Sequence, residues 1–262
     1  MQPNISVVVR SRNEEKTIIR TLRLLHSQTI PPREIVLVDN ESTDRTREIA
    51  AQFGCRIVVV RNGDFTHAYS TNLGAAHCSM DLIVFTNGHS FPISETWLER
   101  GTRHFADPMI AGVYGPQRAD GRASIWEKIV DVSKDVRFGR ARFRILEGCS
   151  IFHGLGLLST ASCIIRRDLW ERHPFDEEVS AYGGGEDTEW GFYHLRQGYR
   201  IVEDRDLSVH HCHGDQLLPY ARRSFDYHRT YFLAYAKNRA APLRTAPKLA
   251  KPPQFGIQNP DG

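Results

Sequence analysis

The sequence predicts an α/β protein with a mostly parallel central sheet flanked by helices. Three observations predict it. Short β-branched runs alternate with helical patterns through the first hundred residues. The runs are apolar throughout, as strands buried in a sheet are. Proline and glycine punctuate the changes of pattern, which is how β-α-β units are bounded.

The elements follow in order. Ile5–Val9 is a β-branched strand, and an E-E-K-T helix pattern runs from it to about Ser27. Pro31 and Pro32 break the chain before the strand Ile35–Asp39. Thr43 to Phe53 reads as a helix closed by Gly54, with Ser42 or Thr43 as its cap. Arg56–Val60 is a third strand, Ala68–Cys78 a helix, and Leu82–Thr86 a fourth strand. From about Ile110 to Ile165 the pattern is less regular. Within it, the basic stretch Lys134–Glu147 reads as a solvated loop or helix, or as a segment closing over a phosphorylated donor. After Pro174 come Gly183, Gly184 and Gly185, then a helix closing at Gly198. A basic, aromatic helix covers 216–241, and the proline-rich stretch 242–262 reads as a disordered tail.

Composition narrows the function. The chain has 262 residues, 40% hydrophobic and 25% charged, which is globular. Its net charge of 34 − 31 = +3 is too small to argue for nucleic acid. No window is long and apolar enough to span a membrane, and no secretory signal is expected. Five scattered cysteines without a C-x-x-C point to a reducing cytoplasm rather than a disulfide framework. Neither G-x-G-x-x-G nor G-x-x-x-x-G-K-[ST] is present, so dinucleotide and P-loop chemistry are disfavoured.

In a parallel sheet, ligands bind beyond the carboxyl ends of the strands. There the sequence places Asp39, ending the second strand, where a carboxylate can accept the imide N–H of uracil or thymine. Glu186 and Asp187 open a helix after the three glycines, a place that favours an ionised carboxylate able to deprotonate a hydroxyl. His210, His211, Cys212 and His213 are consecutive, so they cannot all converge on one tetrahedral ion. In extended chain His211 and His213 face one way and His210 the other.

The runs V-V-V-R-S-R-N-E-E, V-D-N-E-S-T-D, A-Y-S-T-N-L-G-A-A and V-F-T-N-G-H-S-F-P, with G-G-E-D-T-E-W and V-H-H-C-H, resemble family-2 glycosyltransferases of the GT-A fold. The resemblance covers roughly residues 5–230 and leans toward the rhamnosyltransferase-like branch. It implies an inverting transfer from a nucleotide-diphosphate sugar, UDP- or dTDP-linked by preference, to a hydroxyl of a glycan, lipid-linked or other acceptor. It further implies a catalytic unit over 1–215, with donor binding in about 1–115 and acceptor binding in about 116–215. Ser11, Arg12, Glu14, Asp39, Asn40, Asn72 and Asn87 match donor-binding positions; the Arg12 guanidinium stands where the family often has an aromatic. Asp187 matches the base, beside Glu186, while Trp190 and His213 become acceptor or phosphate contacts.

The family's D-x-D signature reads Asn87-Gly88-His89 here. His89 replaces a metal carboxylate with an imidazole, and His211 matches the histidine that completes the site. Such a pair implies a divalent metal with Mn²⁺ favoured over Mg²⁺; otherwise His89 only touches phosphate. The competing class is a nucleotide-sugar or glycan binding protein with lost turnover. The helix over 216–241, with its tyrosines and arginines, either packs on the catalytic unit or lies on anionic lipid at a membrane's inner face.

Overall fold

The computed structural model describes residues 3–153, 157–180 and 183–240. Its N-terminal half is β1 (Ile5–Ser11), α1 (Ile18–His26), β2 (Glu34–Asp39), α2 (Thr46–Gln52), β3 (Arg56–Val59), α3 (His67–Ala76) and β4 (Leu82–Asn87). Next come β5 (Phe91–Pro92), α4 (Trp97–Thr102), β6 (Ile110–Tyr114), β7 (Gln117–Arg118), α5 (Ile125–Phe138) and β8 (Phe143–Leu146). The remainder is β9 (Ser162–Arg166), α6 (Arg167–Arg172), α7 (Glu177–Ser180), α8 (Glu186–Arg196), β10 (Arg200–Asp204), β11 (Val209–His210) and α9 (Leu217–Ala240). The stretch 134–147 spans the end of α5 and β8. The tail expected over 242–262 lies outside the described residues.

An eight-stranded sheet runs in the order β3-β2-β1-β4-β9-β6-β10-β8. The first four strands pair in parallel, as do β6 and β10. β9 enters antiparallel between β4 and β6, and β8 closes the edge antiparallel to β10. This explains why the sequence loses its rhythm after Ile110: β9 arrives without the strand–helix–strand spacing that parallel neighbours require.

Each face of the sheet carries a packed cluster. One holds Val8, Val38, Phe85, Trp190 and Phe192; the other holds Val7, Val9, Leu22, Leu25, Trp97 and Leu98. α1 buries Ile18, Thr21, Leu22 and Leu25, the i, i+3, i+4, i+7 stripe of an amphipathic helix. α3 lies close on β1 and β2 at Gly74, where a Cβ would come within 2.5 Å of Val8 Cγ1. A second, three-stranded sheet, β5-β11-β7, lies apart from the first in pairing and governs the site.

One expectation needs correction. α2 begins at Thr46 rather than Thr43, and neither Ser42 nor Thr43 caps it. Ser42 Oγ instead accepts from Asn13 N, and Thr43 Oγ1 contacts Asn13 Oδ1. Asp44 takes over the helix start by accepting from Thr46 N at 2.9 Å.

Candidate active site

The strand ends of β1, β2, β4 and β6 open onto a cavity of about 920 Å³, walled on the far side by the start of α8 and by α9. The turn after β1 is stitched to the turn after β2. Glu14 N donates to Thr46 Oγ1, Glu15 N to Asp44 Oδ2, and Thr43 N to Asn13 Oδ1. Asn13 and Glu41 both adopt positive φ to make these turns. Side chains here thus spend their hydrogen bonds on each other's backbone, which pre-sets the rim of the cavity.

Ser11, Arg12, Glu14, Asn40 and Asn87 all line the cavity. Asp39 lies fully buried between the lining residues Val38 and Asn40. Its Oδ2 accepts from Ser42 N at 3.0 Å and sits 3.6 Å from Arg47 Nε, while Oδ1 has no partner. A buried carboxylate oxygen without a donor is costly unless a ligand supplies one.

The small sheet builds the histidine cluster. β11 pairs with β5 through His210–Phe91 and with β7 through Val209–Gln117, which carries His211 between the loop after β4 and Gln117. His89 Nδ1 faces Glu14 Oε1 at 2.6 Å, and His211 Nδ1 faces Gln117 Oε1 at 2.7 Å. Both facing atoms are acceptors, so each ring carries a proton on Nδ1, and Nε2 is the nitrogen that could bind a cation. Those two Nε2 atoms lie 2.9 Å apart. His213 joins them, and ligand atoms of all three histidines fall within 4.8 Å of one another.

Burial, and then the charges of His89, His213, Arg223 and Arg122, hold His211 well below the ordinary histidine value. Burial likewise brings His213 down to about 4. Both are therefore neutral at physiological pH, the state a metal ligand requires. Burial works to raise the Glu14 carboxyl, but the bond and charge of His89 outweigh it, with help from Thr17 and Arg122, and Glu14 ends lower. Two lone pairs facing at this separation repel unless a proton or cation lies between them. Adjacent ligands at about 2.1 Å from one ion and a right angle apart sit roughly 3 Å from each other. The donor set fits a borderline divalent cation.

Across the cavity, Gly183, Gly184 and Gly185 take φ of 102°, 112° and 93°, a left-handed run that L side chains avoid. It delivers Glu186 and Asp187 at the first turn of α8. Asp187 Oδ2 accepts from Thr160 N at 3.0 Å and Oδ1 from Thr188 N at 2.7 Å. Burial and the neighbouring Glu186 charge nevertheless push Asp187 up to about 6. Burial raises Glu186 as well, against the pull of Arg10, whose Nη1 lies 3.7 Å from Oε1.

Two expected site residues lie elsewhere. Trp190 is fully buried, its Nε1 donating to His173 O, so it packs the core instead of touching an acceptor. Asn72 is spent as a bracket: Oδ1 accepts from Trp170 Nε1 and Phe175 N, and Nδ2 donates to Phe175 O. Trp190 faces the sheet from α8, whereas Asn72 faces Trp170 and Phe175, and sequence spacing alone assigned neither.

Gln117 and Thr160 were missed, and Arg10 entered only within the V-V-V-R-S-R-N-E-E run. Arg10 Nη2 donates to Thr160 Oγ1 at 2.9 Å and to Asn87 Oδ1 at 3.4 Å, while Nη1 reaches Thr71 Oγ1 at 3.1 Å. It is the hub joining the strand ends to the acid pair. A charged residue ending an otherwise apolar strand was the available signal; Gln117 and Thr160 offered none.

The profile of glycosyl transferase family 2 matches residues 6–173. A 4,4'-diaponeurosporenoate glycosyltransferase of Staphylococcus haemolyticus is 30% identical over 119 residues, 44% of this chain and 32% of that protein. An O-antigen chain rhamnosyltransferase of Salmonella anatum is 24% identical over 205 residues, 76% of this chain and 62% of its own. The chain therefore spans from about a third to under two thirds of these relatives' lengths. Among solved structures, a mannosyltransferase of Pyrobaculum calidifontis in complex with GDP-Man and Mn²⁺ superimposes with a TM-score of 0.69 at 19% identity, covering 94% of this chain and 66% of that one. With its sheet order, its cavity at the strand ends and a profile match over most of its length, the chain belongs to glycosyl transferase family 2 and has the GT-A fold.

Proposed function

We propose that the protein transfers a sugar from a nucleotide-diphosphate donor to an acceptor hydroxyl with inversion, in glycan or polysaccharide synthesis. The observation that carries this reading is Asp187, a carboxylate held by two backbone amides in the same cavity as the three-histidine cluster. The part up to about residue 115 serves the donor and about 116–215 the acceptor. The unpartnered Asp39 Oδ1 suits the imide N–H of a pyrimidine base, favouring UDP- or dTDP-sugars.

The acceptor oxygen bonds to the anomeric carbon as the carbon–oxygen bond to the diphosphate breaks. The hydroxyl proton passes to Asp187, and the bonding electrons leave with the nucleoside diphosphate. Asp187 performs this role above about pH 6, where it is ionised. His89 and His211, with His213 beside them, would hold a divalent cation, which supplies positive charge for the departing diphosphate. Imidazole nitrogens favour Mn²⁺ over the harder Mg²⁺. The solved mannosyltransferase carries Mn²⁺ with its donor, which supports a divalent cation at this place.

A binding protein without turnover has no use for two buried acids facing a cavity, since each costs desolvation. The deciding experiment incubates the protein with UDP-, dTDP- and GDP-sugars and measures nucleoside diphosphate release with and without Mn²⁺. Metal-dependent release from a pyrimidine donor is expected. Binding without release in every combination would overturn the reading.

A further inference from the structure

The polarity of α5 is inverted. Its described acids turn inward: Glu127 accepts from His213 N, Gly214 N and Arg223 Nη2, and Asp131 pairs with Arg118. Ile125, Ile129 and Val132, spaced i, i+4, i+7, point outward at 61%, 57% and 68% exposure. Among the described side chains of this helix, Lys128 is the exposed charge.

α9 repeats the pattern. Tyr231, Ala234 and Asn238 are buried against the domain, and Tyr220, Arg223 and Tyr227 line the cavity. Leu218, Phe225, Arg229 and Phe232 recur at i, i+7, i+11 and i+14 on the outer side, with Phe225 66% exposed, and Arg222 at i+4 is exposed at the rim of the cavity. The helix sequence LLPYARRSFDYHRTYFLAYAKNRA holds a single acid, Asp226, which pairs with Arg229. The aromatics thus divide, Tyr231 and Tyr235 packing toward the domain and Phe225 and Phe232 facing away from it.

Glu127 ties the two helices together through Arg223, and both wall the cavity, α5 through Glu127 and Val130 and α9 through Tyr220 and Arg223. We infer that these two faces form a docking surface for an anionic phospholipid bilayer, setting the cavity mouth against the lipid. Charge decides the occupant. A second copy related by a two-fold axis would place Arg222 and Arg229 against the same basic set. Apolar side chains interspersed with arginine and almost no acid match an interface of buried acyl chains and negative headgroups. The inference stands apart from the transferase reading, because lipid binding needs no donor.

The test is co-sedimentation of the whole chain with phosphatidylcholine vesicles, alone or with phosphatidylglycerol, at low and high salt. Binding should require phosphatidylglycerol and weaken with salt. Phe225→Glu/Phe232→Glu and Ile125→Glu/Ile129→Glu should each lower the partition coefficient by roughly tenfold or more, leaving donor-nucleotide binding and the melting temperature near wild type. Lys128→Gln should give a smaller loss that vanishes at high salt. Failure to sediment with anionic vesicles overturns the inference, as does sedimentation indifferent to both double variants. A wild-type dimer in size-exclusion chromatography that the same variants dissociate would overturn it in favour of a second copy.

Discussion

Glu14 offers the sharpest check on how the site works. Its carboxylate receives the Nδ1 proton of His89 at 2.6 Å, and its other oxygen accepts from Thr17 Oγ1. Glu14→Gln can keep both contacts, the amide oxygen toward His89 and the amide nitrogen toward Thr17. Only the charge is lost. A hydrogen bond to a charged group contributes about 1.5–3 kcal/mol and a neutral one about 0.5–1.5, so the change removes about 1–1.5 kcal/mol of support for His89. That corresponds to roughly tenfold in metal affinity, the lower end of what outer partners of a ligating histidine control. Glu14→Leu removes the acceptor altogether, frees the ring to change tautomer, and should approach a hundredfold. The assay is calorimetric titration of Mn²⁺ at saturating nucleoside diphosphate, beside nucleotide titration in EDTA. The expected order of affinity is wild type, then Gln, then Leu, with EDTA-state nucleotide affinity unchanged. Equal Mn²⁺ affinities in all three proteins would refute the reasoning. A loss confined to nucleotide affinity would return Glu14 to direct donor contact.

Four further outcomes are expected. Asp187→Asn should lower transfer by about 10²–10⁴-fold with donor affinity nearly unchanged; near-normal turnover would remove Asp187 as the base. In the wild type, kcat/KM should fall as pH drops through about 6, because Asp187 then takes up a proton in the free enzyme; a profile flat from pH 7 to 5 would contradict this. Asp39→Ala should weaken UDP or dTDP binding by about 1.5–3 kcal/mol, read by calorimetry, and GDP bound tightly by both proteins would argue against a pyrimidine. His89→Ala and His211→Ala should each weaken Mn²⁺-dependent donor binding, with the double variant costing less than the sum, and His89→Asp should move the preference toward Mg²⁺; transfer unaffected by EDTA would reassign both histidines to phosphate.

Local pattern carried the N-terminal half. The strand runs over 5–9, 35–39 and 82–86 appear as β1, β2 and β4 within a residue or two, because a strand buried on both faces must be apolar along its length. The strand-end rule pointed to Asp39 and the glycine run to Glu186 and Asp187, since each signal lies within a few residues of the feature it marks, whereas Asn87 and His89 came from the family resemblance. Nothing so local distinguishes the fates of Trp190 and Asn72. Each lies on a helix whose facing depends on a partner far along the chain, His173 for one and Trp170 with Phe175 for the other.

The chain by itself determined which chemistries were available: carboxylates after glycines, an imidazole where a carboxylate is usual, and a helix mixing aromatics with arginines. Which of these groups meet was decided by tertiary pairing alone. His89 and His211 are 122 residues apart and come to 2.9 Å because the two-residue strand β11 threads between β5 and β7. Arg10 reaches Thr160, 150 residues away, because β9 enters the sheet antiparallel and presents its leading end at the cavity. Periodicity records which face of an element is buried, whereas contacts across such separations depend on strand order and register, which no local run of residues encodes.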